Sequence, residues 1–342
     1  MQAFAKAAAA AAVGFMALAG ADASQAQDRV QMLTSPVGSM VNTVGTAISS
    51  VVARNTDLEI GTSAMAGPQI ILPQANNAPG SFTLLNAADA YQALRGVKPA
   101  YRAAYPNLRL VSVGFSNPLG VLVRADSDIK TGADLKGRRV TGVFSAHKTC
   151  EQLATAQLAD LGLTWDDVKV VPVTHSRQAA PAIAEGRADV AMCVPVGQAV
   201  VKEVNAQVPV RFVSLDDGPG KAKVIRDIFP AGKFAYYKAG SSDGVLSDVA
   251  VWSYPFYLVA NAETSDDAVY KVTKAIYGNI DALRQTSPIF RSWEPETMAE
   301  ADSTIPYHPG AIRFFKEAGL WTDTMQQDQD RLLAEAKALA SN

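Results

Sequence analysis

The 342-residue sequence has few of the residues from which metal and nucleophile sites are usually built. It contains two cysteines and three histidines, which show neither an H-E-x-x-H motif nor a Cys/His zinc spacing. G-x-G-x-x-G and Walker loops, the common phosphate-binding motifs, are also missing. Acidic residues (33) nearly balance basic residues (31), so the sequence offers no basic surface for nucleic acid or anionic lipid. We therefore expect no metal, no cofactor and no nucleic-acid partner.

The N-terminal 26 residues differ from the mixed composition of the rest. Lys6 precedes an almost wholly apolar run from Ala7 to Leu18, and Ser24-Gln25-Ala26 places small residues at the −3 and −1 positions of a cleavage site. This pattern is typical of a secretory signal peptide. The alternative is a buried or membrane-spanning helix, but the run is only about half of the roughly 20 residues that a span requires. We expect a signal peptide over residues 1–26 and a periplasmic protein.

Strand and helix patterns alternate along the remaining chain. Arg29–Thr34 is a predicted strand, after which Ser35 is a predicted helix N-cap with Pro36 at the first helical position. The alternation recurs further along, with predicted strands at Arg139–Phe144, Val168–Val173 and Asp189–Val194. Strand, helix and strand in this order indicate right-handed crossovers and a mainly parallel, doubly wound sheet.

Two stretches indicate crossings between two α/β lobes. Asn117-Pro118-Leu119-Gly120 separates the predicted strands Arg109–Gly114 and Gly120–Ala125, and Trp252-Ser253-Tyr254-Pro255 interrupts a later apolar run. Two crossings place residues 27–118 and 256–342 in lobe one and residues 119–255 in lobe two. Hinged lobes of this kind bind ligands between them, at the carboxyl ends of the strands of both sheets.

Several segments resemble type II periplasmic binding proteins. Asp134–Val140 (DLKGRRV) is similar to the opening of their second lobe, and Glu185–Val190 (EGRADV) is similar to a helix-to-strand turn in it. Ile305–Gly319 (IPYHPGAIRFFKEAG) strongly resembles the C-terminal signature of the TAXI group, the solute-binding subunits of TRAP transporters. The resemblance implies a monomeric receptor, not an enzyme, that delivers a dicarboxylate or a glutamate-like acid to integral-membrane TRAP permease subunits.

Candidate ligand-binding residues in lobe one follow the predicted strands. Helices open directly after two of these strands, and free backbone N–H groups with the positive end of the helix dipole form an anion site there. The alternative is that Ser35 and Asn86 only cap their helices. The candidates are Ser35, Gly38, Ser39, Ser63, Asn86, Phe115 and Ser116.

The candidates in lobe two lie in a loop that opens a helix. Thr149 matches the threonine of the Gly-Ser-Gly-Thr loop in the resembled family, and His147 and Lys148 precede it. Lys148, or Arg177 after the next strand, would pair with a ligand carboxylate through a charged hydrogen bond. The alternative for both is a solvated surface cation. Trp252 is expected to contact the apolar part of the ligand, with a core position as its alternative.

The two cysteines lie at the carboxyl ends of two strands that we expect to be neighbours. In the usual doubly wound order, Arg139–Phe144 lies beside Asp189–Val194, which brings Cys150 and Cys193 about 5 Å apart at strand spacing. A disulfide requires a Cα separation of about 4.4–6.8 Å, and an exported protein can retain it. We expect this bridge; buried free thiols are the alternative.

One motif suggests an enzyme. Gly240–Gly244 matches G-x-S-x-G with Ser242 as nucleophile, but a nucleophile elbow requires a strand before it and a helix after it. Here the flanking patterns predict a turn and a strand. A secreted serine hydrolase using Ser242 is therefore the alternative to the receptor, and an ABC-type binding protein or sensor of the same fold is a third possibility.

Overall fold

The computed structural model describes residues 29–98, 100–145 and 147–341, and the predicted signal peptide lies outside them. Strands and helices alternate through the first two thirds of the chain, and the last third is mainly helical. The strands are β1 (Arg29–Thr34), β2 (Glu59–Ala64), β3 (Ser81–Asn86), β4 (Leu108–Arg124), β5 (Arg139–Gly142), β6 (Lys169–Pro172), β7 (Val190–Pro195), β8 (Val210–Val213), β9 (Lys233–Tyr237) and β10 (Val249–Asn261). The helices are α1 (Met40–Asn55), α2 (Pro68–Asn77), α3 (Ala87–Arg95), α4 (Lys148–Asp160), α5 (Ala179–Ala184), α6 (Ala199–Gln207), α7 (Lys221–Ile228), α8 (Asp266–Gly278), α9 (Ile280–Thr286), α10 (Pro309–Glu317) and α11 (Asp323–Ala340).

The strands form a sheet in the order β2-β1-β3-β10-β4-β7-β5-β6, with β8 beside β4 and β9 beside β10. Pairing is parallel within the outer groups, between β1 and both β2 and β3, and between β5 and both β6 and β7. The long strands β4 and β10 are antiparallel to each other and to their neighbours. We call the β2-β1-β3 group with its helices the first lobe and the β7-β5-β6 group with its helices the second lobe. The predicted two-lobed α/β fold class is confirmed.

The two long strands change partners partway along their length. β10 pairs with β9 over Val249–Ser253 and with β3 over Phe256–Ala260. β4 pairs with β10 along its first part and with β7 and β8 from Leu119 onward. The stretches predicted as crossings thus lie within two continuous strands. The exact lobe boundaries at 118/119 and 255/256 stay a prediction.

Helix α1 begins later than the sequence suggested. The predicted N-cap Ser35 is wrong, because residues 35–38 form a turn in which the Ser39 N–H donates to the Pro36 carbonyl at 3.0 Å. Gly38 has a φ of +84°, a left-handed conformation that no helix interior accepts. Ser39 is the actual cap, since its Oγ accepts from the Asn42 N–H at 3.2 Å.

The C-terminal segment Ile305–Gly319, which resembles the TAXI signature, is hydrogen-bonded to β4. The Leu110 N–H donates to the Pro306 carbonyl, and the His308 N–H donates to the Leu110 carbonyl, both at 2.8 Å. His308 is fully buried and caps α10, because its Nδ1 accepts from the Gly310 N–H at 3.2 Å. Burial lowers the pKa of His308 from its ordinary value, which keeps the ring neutral and able to accept.

The predicted disulfide is present between the first turn of α4 and β7. Cys150 and Cys193 are both buried, and their Cα atoms are 5.7 Å apart. The bridge forms because β5 lies between β6 and β7, so the segment that follows β5 runs beside the end of β7. Cys193 has a φ of +57° where the register of β4 and β7 shifts, and its N–H donates to the side-chain oxygen of Gln157 at 3.2 Å.

Removing the Cys150–Cys193 bridge will lower the free energy of unfolding. For a sequence separation of 43 residues the loop-entropy model gives a loss of about 3–4 kcal/mol. Urea denaturation of the Cys150→Ala/Cys193→Ala double variant measures it. Wild-type protein treated with reductant in urea should match the variant, and the variant should be insensitive to reductant. Equal midpoints for oxidised wild type and variant would contradict the expectation.

Helix α10 packs so closely on the start of α8 that only glycine fits at position 310. A Cβ on Gly310 would lie 2.2 Å from the Asp266 carbonyl oxygen. Gly310→Ala should therefore destabilise the protein by about 1–3 kcal/mol, the usual cost of overpacking. Gly278→Ala is the matched control, since nothing lies within 4 Å of its Cβ, and alanine there should be neutral or stabilise α8 by up to about 1 kcal/mol. Urea denaturation of both variants decides; equal midpoints would show that the contact relaxes freely.

Candidate functional site

Helix α3, which follows β3 in the first lobe, contacts helix α4, which follows β5 in the second lobe. Gln92 of α3 donates from Nε2 to Oε1 of Gln152 on α4 at 2.7 Å. Gln152 in turn donates from Nε2 to the Ile228 carbonyl at 2.8 Å. We call this region the cleft. Side chains from the two lobes touch across it, and we call this arrangement of the lobes closed.

A carboxyl group that sequence reasoning missed lies at the centre of this contact. Asp89 accepts from the Asn86 Nδ2 at 2.6 Å and also hydrogen-bonds with Thr149 of the second lobe and with Tyr101. Burial raises the pKa of Asp89 to about 6, against the weaker opposing effect of these hydrogen bonds. Asn-Ala-Ala-Asp at a helix start is an ordinary capping pattern, so no sequence feature distinguishes an aspartate that faces the other lobe from one that only caps its helix.

The predicted lobe-one residues occupy three kinds of position. Asn86 is buried and caps α3, its Oδ1 accepting from the Asp89 N–H at 2.8 Å. Ser39 caps α1, and Ser63 accepts at Oγ from the Gln31 Nε2 at 2.5 Å. Ser35 is partly buried, whereas Gly38 is exposed in the turn before α1. The structure therefore brings only Asn86 of this set into the cleft.

The residues predicted at the first crossing lie on β4. Phe115 is buried and stacked on Phe256 with ring centroids 4.9 Å apart. Ser116 is exposed, and its N–H donates to Oγ of Ser292 at 3.2 Å. These contacts place Phe115 in the core of the crossing and Ser116 on its surface.

The structure places Trp252 in the core. Its side chain is 0% exposed, and its Nε1 donates to the Ala231 carbonyl at 2.8 Å. The expected contact with a ligand is not supported by this position. The neighbouring Tyr254 is also buried and accepts at its hydroxyl from the Asn117 Nδ2 at 3.0 Å, joining the two crossings.

The loop before α4 brings Thr149 to the cleft but not the predicted cations. Lys148 forms an ion pair with Glu151, with Nζ 2.6 Å from Oε2, and 69% of the lysine side chain is exposed. His147 lies 3.1 Å from the hydroxyl of Ser176, and burial lowers its pKa from the ordinary value. Arg177 is exposed. Of these residues, Thr149 is the one that reaches Asp89 across the cleft.

Two cavities differ in their position relative to the lobes. One of about 310 Å³ opens at the carboxyl ends of β5 and β6 and is lined by Val143, Ser145, Pro172, Val173, Thr174, Gln178 and Arg187. The other, of about 120 Å³, lies where β4 and β10 cross, between Lys233 and Glu300, which form an ion pair at 3.3 Å.

Neither a nucleophile elbow at Ser242 nor a metal-binding cluster occurs in the described parts of the chain. Ser242 lies in the turn between β9 and β10, so the strand-to-helix setting of a nucleophile elbow is not found there. No group of three His, Cys, Asp or Glu side chains is placed to hold a metal ion among these residues. Within the same residues, no helix combines the length and the apolar character that crossing a bilayer requires.

Comparison with known proteins gives one family and a set of similar folds. The NMT1-like family matches residues 32–319. A TctC solute-binding protein from Polaromonas is 15% identical with a TM-score of 0.57, covering 92% of this chain and 98% of that one. MatC from Rhodopseudomonas palustris, solved with bound malate, is 16% identical with a TM-score of 0.49, covering 90% and 99%. At these identities the first likeness shows a shared two-lobed fold. Because the family match spans most of the sequence, the chain belongs to the NMT1-like family.

Proposed function

We propose that this chain is an extracytoplasmic solute receptor of the TAXI group. It binds a small organic acid, a dicarboxylate or a glutamate-like acid, between lobes formed by residues 27–118 with 256–342 and by residues 119–255. It then delivers the acid to a TRAP-type secondary transporter. The observation that supports this proposal is the meeting of α3 and α4 across the cleft between two lobes that share the long strands β4 and β10.

The start of α4 has the chemistry to hold a carboxylate. His147 occupies the N-cap position without a side-chain hydrogen bond to the first turn, so the backbone N–H groups there are not capped by that side chain. The Thr149 hydroxyl lies beside them and faces the first lobe. Helix N–H groups, the positive end of the dipole and a hydroxyl together bind an anion without a paired cation.

Binding is expected for at least one acid in a panel of glutamate, 2-oxoglutarate, malate, succinate and adipate. Isothermal titration and native mass spectrometry of the protein from residue 27 onward measure it, with one acid per chain as the expected result. Thr149→Val should weaken the binding about tenfold or more, because it removes a hydrogen bond to a charged group.

Ser242→Ala is the control for that experiment, since Ser242 lies in the β9–β10 turn away from the cleft. It should bind like wild type, and neither protein should hydrolyse an ester substrate. Silence across the whole panel, or ester turnover that Ser242→Ala abolishes, would contradict the receptor function.

Delivery to a TRAP-type transporter predicts uptake driven by an ion gradient. Cells that lack the chain should lose uptake of the bound acid and regain it when the chain is restored. An ionophore that collapses the ion gradient should stop this uptake, whereas depletion of ATP with the gradient clamped should not. The reverse pattern would indicate an ABC-type partner instead.

A further inference from the structure

Asp89 is the one ionisable side chain of α3 that contacts the opposite lobe through a described hydrogen bond. It projects from the first turn of α3 and hydrogen-bonds to Thr149 on α4. Asn86 donates to the same carboxyl at 2.6 Å. Closing the lobes therefore covers this carboxyl with protein, and opening them returns it to water.

The groups that face Asp89 are neutral at physiological pH. Asn86 from its own helix and Thr149 from α4 do not titrate, and burial raises the pKa values of Tyr101 and of Tyr254 on β10 far above neutrality. Lys148, the one cation of α4, pairs with Glu151. Among the residues the structure describes, Asp89 has no ion-pair partner and is partly buried, so closure moves a carboxylate without a counter-ion out of water, which is costly.

We propose that Asp89 couples closure of the cleft, and with it the binding of the acid, to the uptake of one proton. This inference rests on the proposed receptor function and adds a pH control to it. Below a pH of about 6 the closed form holds Asp89 as a neutral acid, which then donates a hydrogen bond in place of carrying a charge. Asp89 is a positioning residue in this role, since it acts through the closed arrangement of the lobes.

The direction of the pH effect follows from linkage. In the closed form burial raises the pKa of Asp89 to about 6, and in the open form water returns it toward the ordinary value of about 3.9. The closed form is therefore favoured fully below the open-form pKa, and that advantage is lost as the pH rises through about 6. These two values predict affinity about tenfold higher at pH 5 than at pH 7.5, with little further change at higher pH.

Two measurements on the full mature chain test this inference. The first is isothermal titration, at pH 5 and pH 7.5, with whichever of glutamate, 2-oxoglutarate or malate binds wild type. The second is small-angle X-ray scattering of protein without added acid, which should show a smaller radius of gyration at pH 5. Asp89→Asn removes the titrating group, so both its affinity and its radius of gyration should be the same at the two pH values.

Asp160→Asn is a closely matched control. Burial raises the pKa of Asp160 to about 6 as well, but this aspartate ends α4 and accepts from the Asp216 N–H at 2.8 Å inside the second lobe. Its surroundings do not change on closure, so Asp160→Asn should keep the tenfold pH effect. Asp89→Glu is a second variant that keeps a titrating carboxyl; it should retain a pH effect even if Asp89→Asn fails to fold.

The outcomes separate the two proposals. Affinity and radius of gyration in wild type that do not change between pH 5 and pH 7.5 would overturn the inference while leaving the receptor function intact. A pH effect that persists in Asp89→Asn would also overturn it. If none of the acids binds at either pH, the receptor function fails, and the scattering data alone still decide whether Asp89 controls closure.

Discussion

The antiparallel pairing of β4 with β10 is the constraint on which the rest of the structure depends. These two strands are the only described ones shared by both lobes, and their register runs from Leu108–Asn261 to Leu119–Trp252. They pass each other closely: a Cβ on Gly114 would lie 2.8 Å from the Phe256 carbonyl oxygen. The register shifts next to Pro255, where the proline has no N–H to give to the ladder. The place where the lobes can bend is therefore fixed by backbone chemistry.

Helix α4 connects the strands β4 and β7 to the cleft. The buried Gln157 donates from Nε2 to the Leu119 carbonyl on β4 and accepts from the Cys193 N–H on β7. The disulfide between Cys150 and Cys193 attaches the start of α4 to β7 as well. A helix held at both ends moves with the second lobe as one body. Thr149 and Gln152 of this helix are the residues that contact the first lobe.

Local patterns in the sequence predicted much of this fold. The alternating strands and helices, the two crossings and the disulfide all followed from periodicity and from the neighbour rule of parallel sheets. The prediction failed where a local signal had two solutions: Ser35 and Ser39 both suit an N-cap, and only the backbone of Gly38 decides between them. It also divided β4 into two strands at Pro118, because a proline within a strand pattern usually ends it.

The site was harder to predict than the fold because its contacts join distant parts of the chain. Gln92 and Gln152 are separated by 60 residues, and neither has a sequence pattern that distinguishes it from a surface glutamine. The positive charge of Lys148 and Arg177 makes both of them candidate partners for a ligand carboxylate. In the structure, however, Lys148 forms a local ion pair with Glu151. The position of Trp252 at a crossing makes it a candidate ligand contact, but its whole indole ring is buried in the core. Of the predicted residues, Asn86 and Thr149 are the ones that meet across the cleft through Asp89.

The polar character of the cleft suits the proposed receptor, in which the lobes separate to release the ligand. A neutral hydrogen bond such as Gln92–Gln152 contributes only about 0.5–1.5 kcal/mol, because water replaces it on opening. The one described ion pair across the proposed boundary, Lys233–Glu300, has a lysine that is 67% exposed and so is worth at most about 1 kcal/mol. A buried, fully paired ion bridge would cost about 3–5 kcal/mol once one partner is removed and would resist opening. Weak neutral contacts instead leave the balance between open and closed forms within reach of the differential binding energy of a small ligand.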